Sequence, residues 1–159
     1  MMQMSEKGKK LLAQWEGTIL DVYNDAAGLP TIGVGHLLTR DELTSGKIYI
    51  QGQLVRYTNG LTPQQALDLL GQDLDKFERV VDESVTVNLS QNQFDALVSF
   101  AFNVGGGAFK DSSLLKLLNQ GQYNQVPDQL QRWTRAGGRV VQGLVNRREN
   151  EIKLWKGQI

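Results

Sequence analysis

Apolar residues along this chain follow two rhythms, and the places where the rhythm changes mark its elements. From Ser5 to Trp15, Leu11, Leu12 and Trp15 fall at helical spacing behind a serine suited to capping, which predicts a short first helix. Residues 18–36 alternate instead. Ile19, Val22 and Tyr23, then Thr31, Ile32 and Val34, broken by AAGLP, predict a small antiparallel sheet. A second alternation, KIYIQGQLVRY at 47–57, centres on Gly52 and predicts a hairpin. At Leu61 the period lengthens. Thr62, Pro63 and Gln65 combine a capping threonine, a proline at the first helical position and a glutamine three after the cap. Ala66, Leu67, Leu70, Leu74, Phe77 and Val81 then hold one stripe to about Glu83. This helix of about 20 residues would span roughly 30 Å, more than one small lobe requires.

Ser90 with Gln93 repeats the capping pattern and opens a helix over 91–103, with Phe94, Leu97, Val98, Ala101 and Phe102 on its inner face. That helix should be largely buried. The glycines at 105–107 are expected to stop it, and shorter helices should follow near 113–119, 126–133 and 142–155. Strands early and helices late make the fold class α+β. With 159 residues the chain fits one domain, or two small lobes sharing a helix, and can bury roughly 70% of its unfolded surface. No repeat, low-complexity tract or linker divides it.

Composition narrows the chemistry. Cysteine is absent, so stability does not depend on oxidation, which suits folding in a reducing cytoplasm. His36 is the only histidine and leaves carboxylates as the sole further strong ligands, which argues against a metal. The formal charge cancels at 17 basic against 17 acidic residues, but unevenly: residues 1–131 hold 10 against 15, residues 132–159 hold 7 against 2. The C-terminal excess reads either as a basic face for an anionic polymer, such as cell wall or nucleic acid, or as the solvated side of an amphipathic helix. The opening MMQMSEKGKKLLAQWEG has no apolar core of signal-peptide length, so export by its own signal is not expected. No apolar run approaches the roughly 20 residues of a membrane-spanning helix.

Candidate chemistry gathers in WEGTILDVYNDAAGLPTIGVGHLLT at 15–39. Glu16 ends the first predicted helix, where the negative end of the helix dipole disfavours an ionised carboxylate, as suits a general acid. Asp25 lies nine residues on and Thr31 six further, with turn-formers between, so two carboxyls and a hydroxyl can converge. Spacing alone is weak, since such carboxylates are most often solvated and a strand threonine is usually only a strand residue. GVGH lacks the third glycine and the Lys-Ser/Thr ending of nucleotide loops; Gly33 and Gly35 read as points of close backbone approach.

Glu, eight residues, Asp, five residues, Thr, continuing as TIGVGHLLT at 31–39, resembles the active-site segment of the phage-type lysozymes, glycoside hydrolase family 24. The segment is similar to T-even phage lysozymes, whereas NVGGGAF at 103–109 and RRENEIKLW at 147–155 are similar to those of lambdoid phages. The resemblance is weakest at 41–60, where the T-even pattern has a short helix. It implies a lysozyme-like fold: an N-lobe with sheet at about 16–60, a connecting helix at about 62–83, a helical C-lobe at about 84–159 on which helix 5–15 packs, and a cleft between the lobes.

The same resemblance implies an endolysin: a muramidase that cleaves the β-1,4 bond between N-acetylmuramic acid and N-acetylglucosamine in peptidoglycan. Glu16 would be the acid, Asp25 the second carboxylate and Thr31 the holder of a water, an arrangement that calls for inversion with carboxyls roughly 6.5 to 9.5 Å apart. It further implies an ion pair of His36 with Asp73, support of Glu16 by Arg147 or its neighbour Arg148, and substrate contacts at Leu37, Phe102 and Ser113. Neither cofactor nor metal is implied, and neither nucleic acid nor stable membrane association. A monomer would wait in the host cytoplasm for a holin to admit it to the wall. Intact Glu16, Asp25 and Thr31 argue against two rivals, a wall-binding protein without chemistry and a lytic transglycosylase.

Overall fold

The computed structural model describes residues 1–159. Its elements run, in order, helix α1 (Glu6–Glu16), strands β1 (Ile19–Asn24), β2 (Pro30–Gly33) and β3 (His36–Leu37), helix α2 (Arg40–Ser45), strands β4 (Lys47–Ile50) and β5 (Gln53–Arg56), and the long helix α3 (Pro63–Ser84). Then come α4 (Gln91–Val104), α5 (Gly106–Asp111), α6 (Ser113–Asn119), a 3₁₀ turn at Tyr123–Gln125, α7 (Val126–Leu130), strands β6 (Arg135–Ala136) and β7 (Arg139–Val140), and α8 (Gln142–Trp155). This is the α+β class expected.

The chain forms two compact units, Lys9–Leu74 and Met1–Gly8 with Asp75–Ile159. The boundaries fall inside α1 and α3. The first turn of α1 belongs with Asp75–Ile159 and the rest of that helix with Lys9–Leu74. The reason is local: Asp95 of α4 accepts hydrogen bonds from the Ser5 N–H and hydroxyl, which docks the first turn of α1, while Lys9 already lies beside Gly71 of the other unit.

In the unit Lys9–Leu74, β1, β2 and β3 form an antiparallel sheet in that order, with Thr31 opposite both Tyr23 and Leu37. Its core joins Ile32, Leu38, Ile48, Ile50, Tyr57, Leu61 and Leu69. The hairpin β4–β5 turns on Gln51 and Gly52, both at positive φ (51° and 77°), the two-residue turn that matches strand twist. Helix α2 was not expected. It has only six residues and buries none; Thr39 and Glu42 close a capping box at one end and Gly46 in the left-handed conformation ends it.

Both capping signals act as read, one in each unit. Ser90 and Gln93 form a box at α4, as Thr62 and Gln65 do at α3. Residues 94–101 of α4 are buried, with α8 alongside. Phe100 packs edge-on against Phe109 and Trp133, and Phe77 against Phe102. The expected stop at 105–107 is narrower: only Gly105 breaks the chain, at φ 99°, and Gly106 and Gly107 open α5. No helix is long and apolar enough to cross a membrane.

Candidate active site

Glu16 is the last residue of α1. The helix ends because Gly17 takes φ 84° and returns its N–H to the Ala13 carbonyl at 2.9 Å, a left-handed cap that glycine adopts freely. The Glu16 side chain is exposed and reaches Gly35, where a β-carbon would stand 3.9 Å from its Oε2. Gly33 and Gly35 take φ 71° and 69° in the turn from β2 to β3. A β-carbon on Gly33 would touch Ala66 and Leu69 at 3.8 Å, so this turn runs close to α3 as well as to the glutamate.

Asp25 follows β1 directly. Its Oδ1 accepts the N–H groups of Ala27 and Leu29, each at 2.9 Å, and its own N–H donates to the Leu29 carbonyl at 2.9 Å. The side chain thereby closes its own turn. Thr31, only 2% exposed, donates its hydroxyl to the same Leu29 carbonyl at 2.9 Å. One backbone unit, Leu29, thus couples the two side chains. With its proton committed to that carbonyl, the Thr31 oxygen is left with acceptor capacity only.

His36 supports this region from β3. Nδ1 lies 2.8 Å from Asp73 Oδ2 on α3, the pair expected, and Nε2 lies 2.9 Å from Glu42 Oε1 on α2. Burial lowers the imidazole pKa, but the hydrogen bond and charge of Asp73, then those of Glu42, outweigh it and raise the value from 6.5 to about 9. The ring is a cation at neutral pH. Glu42 was not among the expected residues, although Thr39-x-x-Glu42 is a legible capping box; the same Oε1 also accepts the Thr39 N–H.

The basic pair of α8, Arg147 and Arg148, is buried. Arg147 Nε lies 3.0 Å from Glu151 Oε2 and its Nη2 donates to the Ser99 carbonyl at 3.1 Å. Arg148 Nη1 donates to Glu151 Oε1, Nη2 to Asn103 Oδ1, and Nε to the Trp133 carbonyl at 3.0 Å, with the guanidinium over the Phe100 ring. Arg148 is thus committed within the helical unit. Glu151, 0% exposed and also bound by the Ser99 hydroxyl at 2.6 Å, is the residue that sequence reasoning missed; its spacing of four and three from the two arginines was the available signal.

Of the three expected substrate contacts, Leu37 is 51% exposed on β3, Phe102 is half-buried on α4 and Ser113 is exposed at the start of α6. Neighbouring Ser112 is buried and occupied as the α6 cap, its hydroxyl accepting the Leu115 N–H at 3.1 Å and donating to the Phe109 carbonyl at 2.7 Å. No three His, Cys, Asp or Glu side chains gather as a metal site.

Residues 13–151 match the family model described as phage lysozyme. The chain is 40% identical to the endolysin of Bacillus phage PZA over 97% of its own length and 55% of that protein, so it spans about half the length of the curated relatives it matches first. A crystal structure of a P22 lysozyme mutant superposes with a TM-score of 0.82 at 36% identity, covering 98% of this chain and 99% of that one. The muramidase domain of SpmX from Asticaccaulis excentricus superposes with a TM-score of 0.79 at 31% identity, covering 98% of each.

Proposed function

The chain belongs to the phage lysozyme family, and from that premise we propose that it is an endolysin hydrolysing the β-1,4 bond between N-acetylmuramic acid and N-acetylglucosamine in peptidoglycan. The observation that carries the reading is the coupling of Asp25 and Thr31 through Leu29, which gives the second carboxylate a fixed orientation beside a hydrogen-bond acceptor. Glu16 donates its proton to the glycosidic oxygen as the bond to the sugar breaks. A water donates one hydrogen to Thr31 Oγ1, yields a proton to Asp25 and attacks the anomeric carbon from the opposite face. A single displacement of this kind inverts that centre.

Leu37, Phe102 and Ser113 contact the glycan, His36 with Asp73 stiffens the turn region, and Arg147 is the supporting arginine. Neither cofactor nor nucleic acid takes part. The protein works as a monomer, stays in the host cytoplasm without stable membrane association, and depends on a membrane-permeabilising holin to reach the wall. Mass spectrometry of digested peptidoglycan tests the reading: reducing muramic acid ends are expected with the wild-type chain, and Glu16→Gln should lower their release by at least about a hundredfold while the fold melts normally. Anhydromuramic ends, or no cleavage, would overturn it.

A further inference from the structure

The hairpin β4–β5 presents a face that its own stability does not account for. Lys47 stands opposite Arg56 and Tyr49 opposite Leu54 across the strands, and alternation puts all four on one side. The other side carries Ile48 and Ile50 into the core, with Val55 packed against it. On the outer side Tyr49 is 63% and Leu54 53% exposed, and neither Lys47 nor Arg56 has a carboxylate partner. Like charges directly opposite one another oppose strand pairing, and exposed Tyr and Leu contribute little to it. The face is nevertheless held firmly. Gln72 of α3 donates from Nε2 to the Tyr49 carbonyl at 2.9 Å and accepts the Gln51 N–H at 2.7 Å, tying the turn of the hairpin to the long helix.

We propose that this face is an accessory wall-binding site, outside the catalytic trio, for the carboxylate-bearing glycopeptide of peptidoglycan; the inference rests on the wall reading above. The Tyr49 ring and Leu54 form a flat apolar strip against which a sugar lays its C–H face, and the two cations beside it take carboxylates of the stem peptides. Charge selects this occupant. Two cations fall short of the cluster of about four to eight that an anionic bilayer surface requires, and of the six to ten or so phosphate contacts typical of nucleic-acid binders.

The test uses the full chain carrying Glu16→Gln, so that the wall is bound and not consumed, and measures co-sedimentation with purified sacculi, natural or with their carboxylates amidated by carbodiimide and ammonia. Adding K47Q and R56Q should weaken binding to natural sacculi about tenfold, a loss of about 1.4 kcal/mol. On amidated sacculi that difference should vanish. Tyr49→Ser should weaken binding to both substrates, and Tyr49→Phe should restore it. All four side chains lie on an outer face, and melts matching the parent chain confirm folding.

Unchanged binding of these variants to natural sacculi overturns the proposal. So does a loss of equal size on amidated sacculi, a loss confined to phosphatidylglycerol vesicles, or a change only in self-association by sedimentation velocity. With Glu16 restored, release of muramic ends is read separately. Its absence defeats the hydrolase reading and leaves the binding result standing.

Discussion

His36 and Asp73 meet at 2.8 Å between the third strand and the long helix, and Glu42 takes the other ring nitrogen at 2.9 Å. A histidine held between two carboxylates makes the region's stability depend on pH. Its folded pKa, about 9, stands above the ordinary 6.5, so its stabilisation is fully present below about pH 6.5 and is lost as pH rises through about 9. The full linkage is up to about 3 kcal/mol. The Tyr57 phenol, which donates to the Glu42 carbonyl, does not confuse this window, because burial and then the Glu42 charge push its pKa up from 10.0. Thermal melts of the wild type and His36→Asn from pH 5 to 10 check this: the gap should be widest at acid and neutral pH and close towards pH 10. A gap constant across the range contradicts it.

Glu151 neutralises two buried arginines at once. Glu151→Gln preserves its shape but leaves the buried Arg148 guanidinium without its charge partner, and breaking a buried pair in this way costs about 3 to 5 kcal/mol. Urea unfolding should show a loss of that order. A change under 1 kcal/mol or so would mean that Arg148 finds another partner.

Two helical glycines should respond oppositely to alanine. A β-carbon on Gly8 would lie 2.7 Å from Asp95 Oδ2, and Asp95 cannot yield, being buried and hydrogen-bonded to Ser5 and Gln91. Gly8→Ala should cost about 1 to 3 kcal/mol. On Gly71 the nearest atom would be Lys9 Nζ at 3.7 Å, an ordinary contact, so Gly71→Ala should stabilise by about 0.5 to 1 kcal/mol through helix propensity. Melting temperatures of the two variants, moving in opposite directions, decide the matter.

What could be read from residues alone was what residues settle among near neighbours. The caps of α3 and α4 were legible because both halves of each box lie within four positions. The hairpin at 47–57 was legible for the same reason, its turn being set by Gln51 and Gly52. Tertiary packing decided the rest. Gly106 sits where a β-carbon would be 3.3 Å from Val80, so it is there for close approach, and the three glycines do not act together as a break. The strands β6 and β7, two residues each, have no alternation long enough to notice, and the last residues of the helix expected over 126–133 lie beyond the end of α7 at Leu130. At the site, the spacing of Asp25 and Thr31 was visible, but their common bond to Leu29 depends on the turn geometry. The resemblance pointed Arg147 or Arg148 at Glu16, and nothing in a charge count shows that Glu151 binds both inside the helical unit.

In the proposed mechanism Asp25 and Thr31 hold a water that attacks in a single displacement. Thr31→Ala keeps the strand and removes the acceptor, so turnover should fall far more than wall binding. The most direct measurement is proton NMR of the muramic acid ends first released from the wall, recorded before mutarotation. The expected product is the α-anomer of a reducing end. A β-anomer would mean that Asp25 bonds to the sugar itself or that water attacks from the other side, and either would contradict the water-holding role.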